Sequence, residues 1–221
     1  MSIADRILYE DNHILIFFKN AGEIVQGDKT GDECLLDTLK NYIKLRDKKP
    51  GNVFLGLTHR IDRPTSGLVV FAKTSKALSR LNAMFQNGEV HKTYLTLVDK
   101  ELDHSEGTLE DYIYRNSKEN KSYVVNQNHS GAKKAVLNYK LVCKTKTYFL
   151  YEVELLTGRH HQIRVQFSSR GSHIKGDVKY GAKRPNSDAS ISLCSYKIEF
   201  EHPVSHQKIE VSKQPEWKEL S

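Results

Sequence analysis

No run of this 221-residue chain stays apolar for long. Its longest apolar stretches, Ile14 to Phe18 and Gly67 to Ala72, are strand-sized and far short of the roughly 18 residues a membrane-spanning helix needs. Met1 to Glu10 places Asp, Arg and Glu where a signal peptide needs an unbroken apolar core, so the chain is expected in the cytoplasm and off the membrane. Cysteine is scarce: Cys34, Cys143 and Cys194 lie far apart, with no Cys-x-x-Cys pair and no Cys/His spacing of the zinc kind. They read as buried small residues in a reducing compartment. There is no internal repeat, heptad run, low-complexity tract or phosphate-cradling glycine loop. With 38% hydrophobic and 28% charged residues, the composition excludes disorder and leaves a polar-surfaced protein with an adequate core.

What the chain does have is positive charge. Its 34 Lys and Arg against 27 Asp and Glu give a net +7, which favours a polyanionic partner. The length suits one well-cored domain spanning 1–221. Ile7 to Glu10 and Ile14 to Lys19 read as strands joined by the Asp11-Asn12 turn. Leu35, Leu36, Leu39, Tyr42 and Ile43 recur at helical spacing until Lys-Lys-Pro-Gly at 48–51. Val53 to Leu57 and Leu68 to Lys73 are β-rich runs, and Thr74 or Ser75 caps a helix that Gly88 stops. Strands follow at Val90 to Val98, Gly107 to Tyr114, Ser122 to Asn126, Ala135 to Val142 and Tyr148 to Leu156, then a turn and short helix ending by Gly171, then strands at Ile191 to Phe200 and Lys208 to Val211. Asn116 to Lys121 reads as an exposed mobile loop. Few helices among many strands predict an α+β fold: a central, largely antiparallel mixed sheet flanked by a few helices and loops.

Two clusters could carry chemistry. The loop from His59 to Gly67 packs an acid, three bases, two hydroxyls, a Pro and a Gly between two apolar strands. It is either a functional loop on a rigid scaffold or a surface turn whose charges merely pair. From Arg159 to Arg184, Arg159, Arg164, Arg170, Lys175, Lys179, Lys183 and Arg184 face the single acid Asp177, a local charge of 7 − 1 = +6. This strip can hold phosphates or be a solvated basic face.

His59-Arg60-Ile61-Asp62-Arg63-Pro64-Thr65-Ser66-Gly67 resembles the catalytic signature of the RluA-like family of RNA pseudouridine synthases, usually His-Arg-Leu-Asp-x-x-Thr-Ser-Gly. Lys92-Thr93-Tyr94 is similar to the family's Lys-x-Tyr strand, and Gly158 to Arg164 to its Gly-Arg-x-His-Gln-Ile-Arg segment. Gly176-Asp177 with Tyr180-Gly181 is similar to its Gly-Asp-x-x-Tyr-Gly, and Phe200 to Pro203 to its closing strand and turn. The chain departs from the pattern at Asn20 after Lys19, at Ile61, at Gln166 after Arg-Val and at Cys194. None of these is a position matching the family's catalytic Asp, Tyr or Arg.

The resemblance implies the pseudouridine synthase fold and isomerisation of a uridine in structured ribosomal or transfer RNA, with no metal and no cofactor. Asp62 would be the nucleophile or the charge that stabilises a cationic sugar, Arg164 the fixed cation paired with it, and Tyr94 the ring beneath the uracil. A uridine within folded RNA must be flipped out to react, and Arg60 could fill the space it leaves. His59 would order the loop, while Thr65, Ile163, Arg159, Lys175 and Lys179 would contact the RNA and His160 and His161 serve structure or phosphate contact. With only about 60 residues before Asp62, no separate N-terminal RNA-binding domain is expected, so specificity would rest on stretches such as Ala21 to Glu33 and Asp99 to Gly131. A monomer acting on RNA and not on DNA is expected. The alternative is a noncatalytic RNA-binding domain that keeps the synthase fold.

Overall fold

The computed structural model describes residues 2–27 and 33–220, so part of the stretch Ala21 to Glu33 lies outside the described residues. In chain order the elements are β1 (Ile7–Glu10), β2 (Ile14–Lys19), α1 (Leu35–Arg46), β3 (Gly56–Leu57), β4 (Ser66–Ala72) and α2 (Ser75–Asn87). They continue with β5 (His91–Val98), β6 (Glu106–Asn116), β7 (Lys121–Val125), β8 (Lys133–Lys144), β9 (Phe149–Leu155), α3 (Gln162–Ser168), β10 (Leu193–Glu201) and β11 (Lys208–Ser212). Contacts gather into two compact units, Met1–Val90 with Ser195–Gln214 and His91–Cys194 with Pro215–Ser221. The α+β class holds, and every pairing of described register is antiparallel.

The first unit is built on β2 and β4, which pair with Phe17 opposite Val69. Nearly all of their residues are buried, which is why both read as continuous apolar runs and not as alternating ones. Leu15, Phe17, Val69 and Phe71 share one face and pack on Leu35, Leu39 and Ile43 of α1. The α2 helix starts where expected, with Thr74 Oγ1 accepting the Ala77 N–H, and stops at Gly88 in the left-handed conformation, φ 77°. The run from Val53 yields only the two residues of β3, opposite Ala72 and Phe71, because β2 occupies the full length of one edge of β4 and β10 shares the other.

The second unit orders its strands β5-β9-β8-β6-β7. Tyr94, Leu137, Tyr151 and Val153 pack against Ile163 and Phe167 of α3, with the Tyr151 and Phe167 rings edge to face at 5.7 Å. Six of the seven α3 residues are buried. Asn116 to Lys121 closes the β6–β7 hairpin with an exposed tip, where Asn116 Oδ1 accepts the Lys118 N–H. One expectation changes here. Cys143 is exposed, at a break in the β8–β9 register.

Gly67 packs against backbone: a Cβ there would stand 2.4 Å from the Ser195 carbonyl oxygen, at φ 127°. Gly67→Ala is therefore expected to lower the unfolding free energy by more than about 3 kcal/mol. Gly88→Ala, with nothing within 4 Å of the added carbon, should cost only about 1 kcal/mol. Urea unfolding of the two variants side by side tests the contrast.

Candidate active site

Asp62 sits part-buried at the head of a turn that the first unit fixes at several points. Ile61, the residue before it, is buried in the α1 core. His59 Nε2 accepts the Val70 N–H at 3.1 Å, and the Thr58 hydroxyl donates to the Val70 carbonyl at 2.7 Å. The His59 ring lies against Phe85. The Thr65 N–H closes the turn on the Asp62 carbonyl at 3.0 Å. Thr65 itself is 2% exposed, and its hydroxyl oxygen has no hydrogen-bond partner among the described residues. Arg60 is exposed.

A fully buried ammonium holds the turn from below. Lys19 Nζ donates to the carbonyls of Asn20 (2.9 Å), Glu23 (2.9 Å) and Arg63 (3.1 Å). Three carbonyls match the three donors of an ammonium. Burial pushes the Lys19 pKa down to about 7, while the Glu23 and Asp62 carboxylates pull it back up.

In the second unit, Arg164 projects from α3 and is 5% exposed. It grips the carboxylate of Asp177 with two bonds: Nε to Oδ2 at 2.7 Å and Nη2 to Oδ1 at 2.9 Å. The grip uses two of the five guanidinium donors. The guanidinium carbon also lies 5.0 Å from the Tyr180 ring centroid. Tyr180 Oη accepts the Ser122 N–H at 2.8 Å and lies 2.8 Å from His161 Nδ1, so the phenol can give its own proton to that nitrogen. His161 stands at the start of α3 with φ 55°, stacked on His160 at 3.7 Å. Burial, with Arg164 and His160 adding like charge, pushes the His161 pKa down to about 2 and keeps the ring neutral. His160 accordingly bonds within the protein, its Nδ1 2.8 Å from Ser122 Oγ.

Tyr94 on β5 is 7% exposed and packs in the cluster that contains Ile163. Lys92, two residues earlier on the same strand, is half-buried, and burial pushes its ammonium pKa down. The basic strip is less bare than its composition suggests. Arg164 pairs with Asp177, Arg170 with Asp111 and Lys175 with Glu219, two of these acids coming from outside the strip. Arg159 and Lys179 are exposed, and each donates to a backbone carbonyl, of Lys134 and Asn120 respectively.

Sequence reasoning gave no site role to Asp177, Tyr180, Lys19 or Lys92. The three-residue spacing of Asp177 and Tyr180 was the available signal, since one turn of 3-10 helix (Val178–Tyr180) joins them. Among the described residues, no group of three or more His, Cys, Asp or Glu side chains is arranged to hold a metal ion, and no helix is long and apolar enough to cross a membrane.

Residues 13–169 match a family model described as RNA pseudouridylate synthase. The ribosomal large subunit pseudouridine synthase C of Vibrio vulnificus is 32% identical over 216 residues, which cover 95% of this chain and 65% of that protein. The ribosomal large subunit pseudouridine synthase D of Zymomonas mobilis is 30% identical over 214 residues, 92% of this chain and 67% of that one. The chain thus spans about two thirds of the length of these curated relatives. Human RNA Pseudouridylate Synthase Domain Containing 4 superposes with a TM-score of 0.81 at 22% identity, over 97% of this chain and 90% of that one, which establishes the shared fold.

A histidine held neutral by burial makes stability pH-dependent. The folded pKa of His161 lies below its unfolded value of about 6.5, so its contribution is present above pH 6.5 and is lost as pH falls. From pH 6.5 to 5 the loss from this residue should be about 2 kcal/mol. His161→Gln should flatten the urea-unfolding stability over that range by this amount relative to the unsubstituted protein.

Proposed function

We propose, since this chain belongs to the RNA pseudouridylate synthase family, that it isomerises a uridine to pseudouridine in structured RNA. Ribosomal RNA is the substrate class, as the names of its relatives suggest. The observation that carries the reading is the Asp62 turn. Asp62 is part-buried on a loop fixed by Ile61 in the core, by His59 and Thr58 on β4, and by Lys19 beneath. A reacting group needs its backbone held in this way, because misplacement by about 1 Å costs orders of magnitude in rate.

Asp62 serves as the nucleophile toward C1′, or as the charge that stabilises a cationic sugar while the uracil turns from N1 to C5. Tyr94 stacks on the base, and Arg164, immobilised by Asp177, supplies a cation that cannot lose its proton. The uridine reaches these groups only when flipped from its stack, at a cost of a few kcal/mol. Arg60, exposed two residues before Asp62, is suited to stacking in the place of the departed base. Thr65 and Ile163 line the substrate, and Arg159, Lys175 and Lys179 contact RNA phosphates, with the exposed Arg159 and Lys179 the better placed to do so.

Asp62→Ala should abolish pseudouridine formation while leaving RNA binding and the unfolding midpoint near those of the parent protein. The measurement is pseudouridine mapping across ribosomal and transfer RNA from cells carrying either form. One or a few sites should vanish, and normal yield from Asp62→Ala would refute the assignment in favour of a noncatalytic RNA-binding domain. Arg164→Lys keeps the charge but not the planar fork, so its single-turnover rate at saturating RNA should fall at least about 100-fold.

A further inference from the structure

We propose that the turn end of the β6–β7 hairpin and the start of β8 form an RNA-gripping surface: Arg115, Lys118 and Lys133 bind phosphates of the strand that carries the target uridine. The proposal rests on the reading of the protein as an enzyme of structured RNA and extends it to residues outside the basic strip. Lys133 lies opposite Ile113, and Arg115 follows Ile113 by two positions, opposite Ser122. Side chains at that spacing share a face of the sheet. Ile113 packs with Val165 of α3 and with Tyr180, so Arg115 and Lys133 stand on the face that α3 covers. Lys118 is in the turn between β6 and β7, its N–H fixed by Asn116 Oδ1 at 3.0 Å.

Two exposed cations of the basic strip adjoin the same place. Lys179 Nζ donates to the Asn120 carbonyl in the hairpin turn at 3.2 Å, and Arg159 Nε donates to the Lys134 carbonyl, one residue past Lys133, at 2.8 Å. After burial, Arg164 and His160, the charges of Lys179 and Arg115 both help to lower the His161 pKa, which places them around one point. All five cationic residues are exposed, and none belongs to an ion pair among the described residues. The acids nearby are engaged elsewhere: Asp111 by Arg170 and Glu110 by Lys134. Glu119 accepts the Tyr123 hydroxyl, and Tyr123, opposite Tyr114, stands on the face away from Arg115. Five uncompensated cations repel one another, and a polyanion relieves that repulsion. Their spread from the hairpin turn to the start of α3 suits a run of phosphates better than a single small anion. Such contacts are charge-assisted and carry no base information. The surface also borders the arginine of the site, because the Ser122 N–H is bound by Tyr180 Oη, whose ring centroid lies 5.0 Å from the Arg164 guanidinium carbon.

The test is the salt dependence of binding to an in vitro transcript of ribosomal RNA, measured by filter retention. Each phosphate neutralised on a single strand adds about 0.7 to the slope of log affinity against log salt. Arg115→Gln, Lys118→Gln and Lys133→Gln together should lower that slope by about 2 and raise Kd at least about tenfold at about 0.1 M salt. The control removes the same charge from the other end of β8 and the turn after it, with Lys140→Gln, Lys144→Gln and Lys146→Gln, all at exposed positions. This control should move the slope by less than about 1. Equal effects of the two triples would reduce the surface to net charge and overturn the proposal, as would parental binding by the hairpin triple. If the hairpin triple does not fold, Lys118→Gln alone should lower the slope by about 0.7 while Lys146→Gln leaves it in place, and no difference between them overturns the proposal. A parent protein with no salt-dependent affinity for the transcript would fail the reading as an RNA enzyme itself. Salt-dependent binding that both triples shift equally fails the hairpin surface alone.

Discussion

A single buried ammonium does most to fix the loop that carries Asp62. Lys19 has no water to solvate it, so its three protons must find acceptors, and they find backbone carbonyls at Asn20, Glu23 and Arg63. An unsatisfied buried charge costs several kcal/mol, so the chain around it is constrained to present those oxygens. The Arg63 carbonyl belongs to the residue after Asp62, which makes the end of β2 a mould for the turn. Second ties follow from the first: Gly22 and Arg63 exchange two more hydrogen bonds, Gly22 N–H to the Arg63 carbonyl and Arg63 Nε to the Gly22 carbonyl. Glu23 is gripped in turn by the buried Arg6.

The second unit solves a comparable problem with a different pair. Arg164 and Asp177 are both nearly inaccessible, and such pairs are costly to desolvate unless their geometry is good and their remaining groups are bonded. Here the fork is bidentate and a tyrosine ring covers the guanidinium. A buried ion pair of this kind contributes less to stability than to specificity of placement. It sets the rotamer of Arg164 and thereby the direction in which its other donors point.

Much of this was legible in the sequence, and for identifiable reasons. The strands β2, β4 and β9 declare themselves by composition and period, and α2 by its cap and its glycine stop, because those signals are local. The Asp62 loop stood out through its density of polar residues between apolar strands. The grip of Arg164 on Asp177 did not, because a guanidinium fits any carboxylate and the fold decides which ones are near; Asp177 is 13 residues away in sequence. The compensation of the basic strip was illegible for the same reason, since Arg170 meets Asp111 across 59 positions and Lys175 meets Glu219 near the end of the chain. Lys19 read as the last residue of a strand, and nothing in its neighbours announced that its charge would be enclosed.

The hydrogen bonds that Thr58 and His59 make to Val70 close a gap in a ladder. On the edge of β4 that β3 and β10 share, the carbonyl and N–H of Val70 are taken by side chains where a strand would otherwise take them. Val70 is fully buried, and a buried backbone group that loses its partner costs about 1–3 kcal/mol. Changes at His59 or Thr58 therefore strip the sheet interior of a hydrogen bond as well as loosening the loop that carries Asp62.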